Sequence, residues 1–107
     1  PVPGGKSIAE YIGRVKTGDD GVSVAVMHAP AGWSEPAQAP AFDEFTIVIT
    51  GSIDVEHDGS TITVGAGQAL ITRAGEKVRY LTREDAHYVA ICVPAFSPEL
   101  ANRDEDA

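Results

Sequence analysis

From residue 22 onwards, apolar and polar positions alternate in short runs, the period of half-buried β-strands and not of helices. Seven segments carry the pattern: 22–29, 44–50, 53–57, 61–64, 68–72, 77–82 and 87–93. Turn-forming clusters separate most of them, reading TGS, HDGS, GAG, RAGE and REDA. The Asp58-Gly59 pair predicts a tight hairpin, because both central positions of such turns take positive φ. Short strands at this spacing, with no helical period between them, predict a sandwich or barrel and argue against a βαβ fold. Residues 30–42 contain three prolines and read as a long loop or an irregular edge. Residues 1–22 are less decided. Ser7 and Glu10 have capping-box spacing, and Ile8, Tyr11, Ile12 and Val15 recur at helical intervals. Gly13 and the following TGDDG limit any helix there to about two turns, and an arm or a strand fits equally.

Alternation also assigns faces. Glu44, Thr46, Val48 and Thr50 share one side of their strand, and Phe45, Ile47 and Ile49 share the other. The glycine at 51 ends the strand where a tight turn excludes a side chain. Both faces need cover, since three exposed large apolar side chains make a sticky patch. One face lies inside a closed or sandwiched sheet. The other requires a further layer, the N-terminal arm or a second subunit, which makes a homodimer the expected assembly. By the same parity His57 sits at a hairpin end, on the surface or rim.

Composition adds bounds. The chain has 107 residues with 43% hydrophobic, enough for one core. Its formal net charge of −8 disfavours nucleic acid or an anionic membrane as partner, since phosphate binding wants a basic face. Part of that charge falls in residues 102–107, read as a solvated end. Cys92 is the single cysteine, so no internal disulfide forms, and its apolar surroundings suggest a small buried hydrophobe. No run of 18 apolar residues occurs, and no apolar signal-like segment opens the sequence. A cytoplasmic location is the expectation. The prolines and glycines that follow Pro1 argue against its use as an N-terminal base.

The spacing of the glycines resembles that of the cupin superfamily. Its first motif runs G-(x5)-H-x-H-(x3–4)-E-(x6)-G, and Gly32, Gln38, Pro40, Glu44 and Gly51 occupy that frame. Its second runs G-(x5)-P-x-G-(x2)-H-(x3)-N, and Gly67, Arg73, Gly75, Val78 and Thr82 occupy that one. Fifteen residues separate Gly51 from Gly67, the short intermotif length of small single-domain cupins. The resemblance implies an all-β, double-stranded β-helix (jelly-roll-like) barrel over residues 21–96. An N-terminal arm over 1–20 and a C-terminal turn and tail over 97–107 flank it.

In that family three histidines and a glutamate bind a divalent metal. Carried over, those positions are Gln38, Pro40, Glu44 and Val78, so one strong ligand remains and no metal is expected. A metal site would need His28, Glu35 or His87 to turn inward. The resemblance places the Glu44 face inside the barrel, with Gln38, Thr46, Val48, Val78, Tyr80 and Thr82 around it. Trp33 stands in the loop beside the mouth, as a lid or as packing. His28 and His87 complete the candidate ligand-binding set. Such a pocket, mostly apolar with a few convergent polar groups, suits a small organic ligand. Glu44 and Tyr80 are the candidate catalytic residues. A desolvated carboxylate has a raised pKa and acts as a general acid or base, and a phenol can donate to a carbonyl or enolate oxygen. Three functions remain open: a metal-independent enzyme of isomerisation, elimination or cyclisation, a non-catalytic ligand-binding or accessory cupin, and a metal-bound cupin with atypical ligands.

Overall fold

The computed structural model describes residues 5–103. Pro1 and most of the acidic end lie outside them. Eight strands and one short helix follow in order: β1 (Ser7–Ile12), β2 (Ser23–Ala29), β3 (Asp43–Thr50), β4 (Ser52–His57), β5 (Ser60–Gly65), β6 (Ala69–Thr72), β7 (Arg79–Leu81), β8 (Ala86–Val93) and α1 (Pro98–Ala101). They form two antiparallel sheets. One has the order β1-β2-β8-β3-β6 and the other β5-β4-β7. The alternating segments are therefore strands of a jelly-roll barrel, and their inward faces make the core. That core gathers Val48 from β3, Ile53 and Val55 from β4, Val64 from β5 and Tyr88 from β8.

Turn chemistry sets the corners. Asp58 and Gly59 both take positive φ (51° and 75°), and the strands they join pair from His57↔Ser60 to Ser52↔Gly65. Gly51 has φ +76°, and a Cβ there would run into the carbonyl oxygen of Asp85. Handedness and close approach thus both require glycine. Ser97 caps α1 by accepting a hydrogen bond from the Leu100 backbone N–H (3.2 Å).

The helical hint near the N-terminus is not realised. Residues 7–12 form β1, which pairs antiparallel with β2. The Glu10 carboxylate accepts from the backbone N–H groups of Val15 (3.1 Å) and Lys16 (2.8 Å). It closes the turn that follows the strand instead of capping a helix before it. Pairing with β2 wins because its ladder satisfies more backbone groups than two isolated helical turns would.

Residues 30–42 run beside β7 as an irregular edge. Gln38 and Val78 exchange backbone hydrogen bonds (2.9 and 2.8 Å), and Ser34 bridges to Leu81. The Thr82 hydroxyl ties this segment down by donating to the Pro30 carbonyl (2.6 Å).

The outer face of the five-stranded sheet is apolar. Across β6, β3, β8 and β2, Ile71, Phe45, Ile91 and Val24 form one row. Ala69, Ile47, Val89 and Val26 form the next. Val26, Ile47, Ile49, Ile71 and Val93 are exposed, Ile49 to 54%. Nothing among the described residues covers them.

Candidate functional site

A cavity of about 60 Å³ lies between the sheets, toward the end where Phe42 and Phe96 meet edge to face (centroids 5.9 Å apart). Strand parity decides what enters it. Lys6, Ile8 and Glu10 point in along β1 and its approach. Ser23, Ala25 and Met27 point in from β2, and Tyr88, Ala90 and Cys92 from β8. Glu44 enters from β3, Tyr80 from β7, Glu35, Gln38 and Phe42 from the proline-rich edge, and Arg103 from beyond α1. The walls are chiefly apolar, with a few charged and hydroxyl groups among them, as in small-molecule sites.

Glu44 enters this cavity from β3. Its carboxyl meets solvent only partly and lies deep among protein atoms, facing the cavity. Burial raises its pKa to about 7, and the nearby Glu35 carboxyl pushes it the same way. Lys6, a hydrogen bond from Thr46 Oγ1 (3.5 Å) and Arg103 oppose the rise. A carboxyl with that pKa is shared between its acid and base forms at neutrality, the condition for a general acid–base group. Glu35 is also held above the usual carboxylate range by burial, against the pull of Lys6 and Arg103.

Lys6 is 5% exposed. Burial lowers its pKa, while Glu35 and Glu44 support its charge. Its ammonium stands over two rings, 4.2 Å from the Trp33 centroid and 5.3 Å from that of Tyr88, a cation–π seat. Arg103 donates from Nε to Gln38 Oε1 (3.0 Å) and brings a terminal nitrogen within 3.8 Å of Glu35. Tyr80 shares a 2.9 Å hydrogen bond with Thr72 Oγ1. Burial and then the Glu44 charge hold the Tyr80 phenol well above its ordinary pKa. It therefore stays neutral, and either hydroxyl of the Tyr80–Thr72 pair can be the donor. Burial pushes the Cys92 thiol up to about 12, so it lines the wall as an unreactive thiol.

Of the residues named from sequence as catalytic or ligand-binding, Glu44, Tyr80 and Gln38 line the cavity, and Thr46 touches Glu44. The others do not line it. Val48 and Val78 are sealed in the core. Trp33 is buried beneath Lys6 and forms no lid. The Thr82 hydroxyl is spent on the Pro30 and Trp33 carbonyls. His28 and His87 lie on the opposite face of the sheet, stacked on each other with centroids 4.3 Å apart. His87 is hydrogen-bonded to Thr50 (3.2 Å), and His28 lies 3.8 Å from Asp85. Their parity mates Val24, Val26, Val89 and Ile91 carry the outer apolar surface, which is why neither histidine turns inward.

Sequence reading missed Lys6, Arg103 and Tyr88, and considered Glu35 only as a metal ligand. Reading 6–12 as a strand would have placed Lys6 on the Ile8 and Glu10 face. Nothing in the sequence links Arg103 to Gln38.

The family's metal positions do not fit a transition metal here. Gln38 is engaged by Arg103, Val78 lies in the core, and Pro40 has no donor atom. Glu44 is the one carboxylate among those positions, and with an ammonium and a guanidinium nearby it is the wrong donor set. Among the described residues no three histidine, cysteine, aspartate or glutamate side chains converge as a metal site.

Comparisons with known proteins agree with the architecture. The chain is 43% identical over 106 residues to a protein called endoribonuclease YbeY from Myxococcus xanthus, matching over 95% of its own length. It spans 35% of that longer protein. Among solved structures, it superposes on the EutQ protein of Clostridium difficile with TM-score 0.73, 16% identity, and coverage of 86% of this chain and 70% of that one. For KdgF from Halomonas sp. the TM-score is 0.76, with 16% identity and coverage of 92% and 86%. The family model described as the cupin domain matches residues 25–94, and the chain belongs to the cupin family.

Proposed function

We propose that this cupin binds a small organic ligand in its barrel cavity and catalyses metal-independent proton transfer on it, as in isomerisation, elimination or cyclisation. Glu44 is the acid/base and Tyr80 the hydrogen-bond donor. The observation that carries this reading is the Glu44 carboxyl, set in a mostly apolar cavity with a pKa of about 7. In the base form it would take a proton from carbon, while Tyr80 donates to the oxygen on which negative charge develops. The apolar walls strengthen both interactions by excluding water. A panel of small metabolites incubated in D2O, followed by proton NMR, tests it. The reading expects Glu44-dependent exchange or conversion of at least one compound, abolished in Glu44→Gln. Equal rates in the variant would remove the catalytic role.

A second reading, a ligand-binding accessory unit without turnover, is favoured by one observation. A stretch 43% identical to this chain forms only part of the longer M. xanthus protein, named as an endoribonuclease. In that case ligand-induced melting shifts survive in Glu44→Gln and no compound turns over.

The exposed rows of β2, β3, β8 and β6 support a homodimer that buries the outer sheet face, since a second copy is the simplest cover for a self-complementary apolar surface.

A further inference from the structure

Lys6 has three N–H donors. Among the described residues its ammonium makes no hydrogen bond and no ion pair within 4 Å, although the residue is 5% exposed. It is not sealed in, because no buried side-chain nitrogen lacking a partner is fully closed off from solvent. Its nitrogen therefore opens on the cavity, over the Trp33 and Tyr88 rings. A buried donor set left unmet is costly unless something in the cavity accepts from it.

The other charges define what that acceptor is. Arg103 is fixed by Gln38 and faces Glu35 at 3.8 Å, so those two offset each other. Lys6 and Glu44 remain. The Glu10 carboxylate is held by the Val15 and Lys16 backbone N–H groups, so when Glu44 carries its proton the Lys6 ammonium has no acceptor within ion-pair distance among the described residues, and a negative charge on a ligand would supply one. A cavity of about 60 Å³ has room for about two water molecules at the roughly 30 Å³ each takes in the liquid, or for a compound of a few heavy atoms. We propose that Lys6 anchors the carboxylate of a small organic acid bound in the cavity it shares with Glu44. This rests on the reading of the cavity as a ligand site and names its ligand class.

A pH dependence follows. The charged and titratable groups around Glu44 are Lys6 before β1, Glu35 on the proline-rich edge, Tyr80 on β7, Cys92 and Tyr88 on β8, and Arg103 beyond α1. Glu44, with a pKa of about 7, changes charge between pH 6 and pH 8. Glu35, also raised, would act in the same direction. Anion binding tightens as Glu44 takes up its proton, so affinity falls roughly tenfold from pH 6 to pH 8.

The test is titration of the full chain with acetate and pyruvate, and with the neutral acetamide and pyruvamide, by ligand-observed NMR at pH 6 and pH 8. The proposal expects an acid to bind at least about tenfold more tightly than its amide at pH 6. It expects the preference to shrink at pH 8, and the pH dependence to flatten in Glu44→Gln. Lys6→Met, shown to be folded by its urea midpoint, should lose the acid preference and leave amide binding unchanged. If Lys6→Met does not fold, the acid-to-amide ratio of the natural protein decides. Amides binding as well as acids, or acids binding Lys6→Met undiminished, would overturn the proposal and leave the cavity reading standing. No binding of either class at about 50 mM would overturn both, since that is far weaker than a specific site provides.

Discussion

Replacing Glu44 by glutamine converts a titrating group into a permanent stand-in for the protonated acid, and the change should be visible in stability. The folded pKa is about 7 against an ordinary 4.5. A carboxyl whose pKa is raised on folding binds its proton more tightly in the native state. Its stability contribution is full below pH 4.5 and is lost as pH rises through about 7. A shift of 7 minus 4.5, or 2.5 units, corresponds to about 3 kcal/mol in all, of which about 2.5 kcal/mol disappears between pH 5 and pH 8. Urea unfolding followed by the fluorescence of Trp33, the single and buried tryptophan, measures this. The natural protein and Glu44→Gln are compared at half-unit steps. Taking the difference cancels His57, which is raised by its own surroundings, and leaves Glu44 together with its interaction with Glu35. The natural protein should lose about 2.5 kcal/mol relative to the variant across that range, about 10 °C or more in melting temperature for a domain of this size. Profiles that stay parallel within about 0.5 kcal/mol would refute a desolvated Glu44.

Other expectations are as direct. Gly51→Ala should destabilise by about 2 kcal/mol or more, because positive φ and the Asp85 carbonyl both oppose a Cβ; a loss below about 0.5 kcal/mol in the urea midpoint would contradict the close approach. Ile47→Glu together with Ile49→Lys on the outer sheet face should turn a dimer into a folded monomer in sedimentation; a natural protein that already sediments as a monomer would dismiss the dimer. His28→Ala with His87→Ala should leave the affinity of any cavity ligand within about twofold, since both lie across the sheet from Glu44; a large loss by ligand-observed NMR would place them at the site after all.

Much of the barrel could be read from period and punctuation. The two-residue alternation, the Asp58-Gly59 turn and the glycine at 51 are local signals, and each turned out to govern the backbone where it stands. Alternation also put Glu44, Thr46 and Val48 together on one face, and the cupin resemblance turned that face inward. Alternation could not say that the cavity occupies one end only, which leaves Glu44 lining it and seals Val48 in the core. The histidines show the same limit. Parity grouped His28 with Val24 and Val26, but only the packing of the second sheet shows that this group faces outward. Lys6 was hidden because a short segment with a capping-box spacing fits helix and strand alike, and pairing with β2 decides between them. Arg103 meets Gln38 across 65 residues of sequence, a contact no local pattern encodes.

The central claim is that Glu44 keeps its proton to near neutrality inside the cavity. Carbon-13 NMR of the chain labelled at the glutamate side-chain carboxyls, assigned by comparison with Glu44→Gln, measures that proton directly. An inflection near pH 7 for the Glu44 signal is the predicted result, and an inflection near the ordinary 4.5 would contradict it.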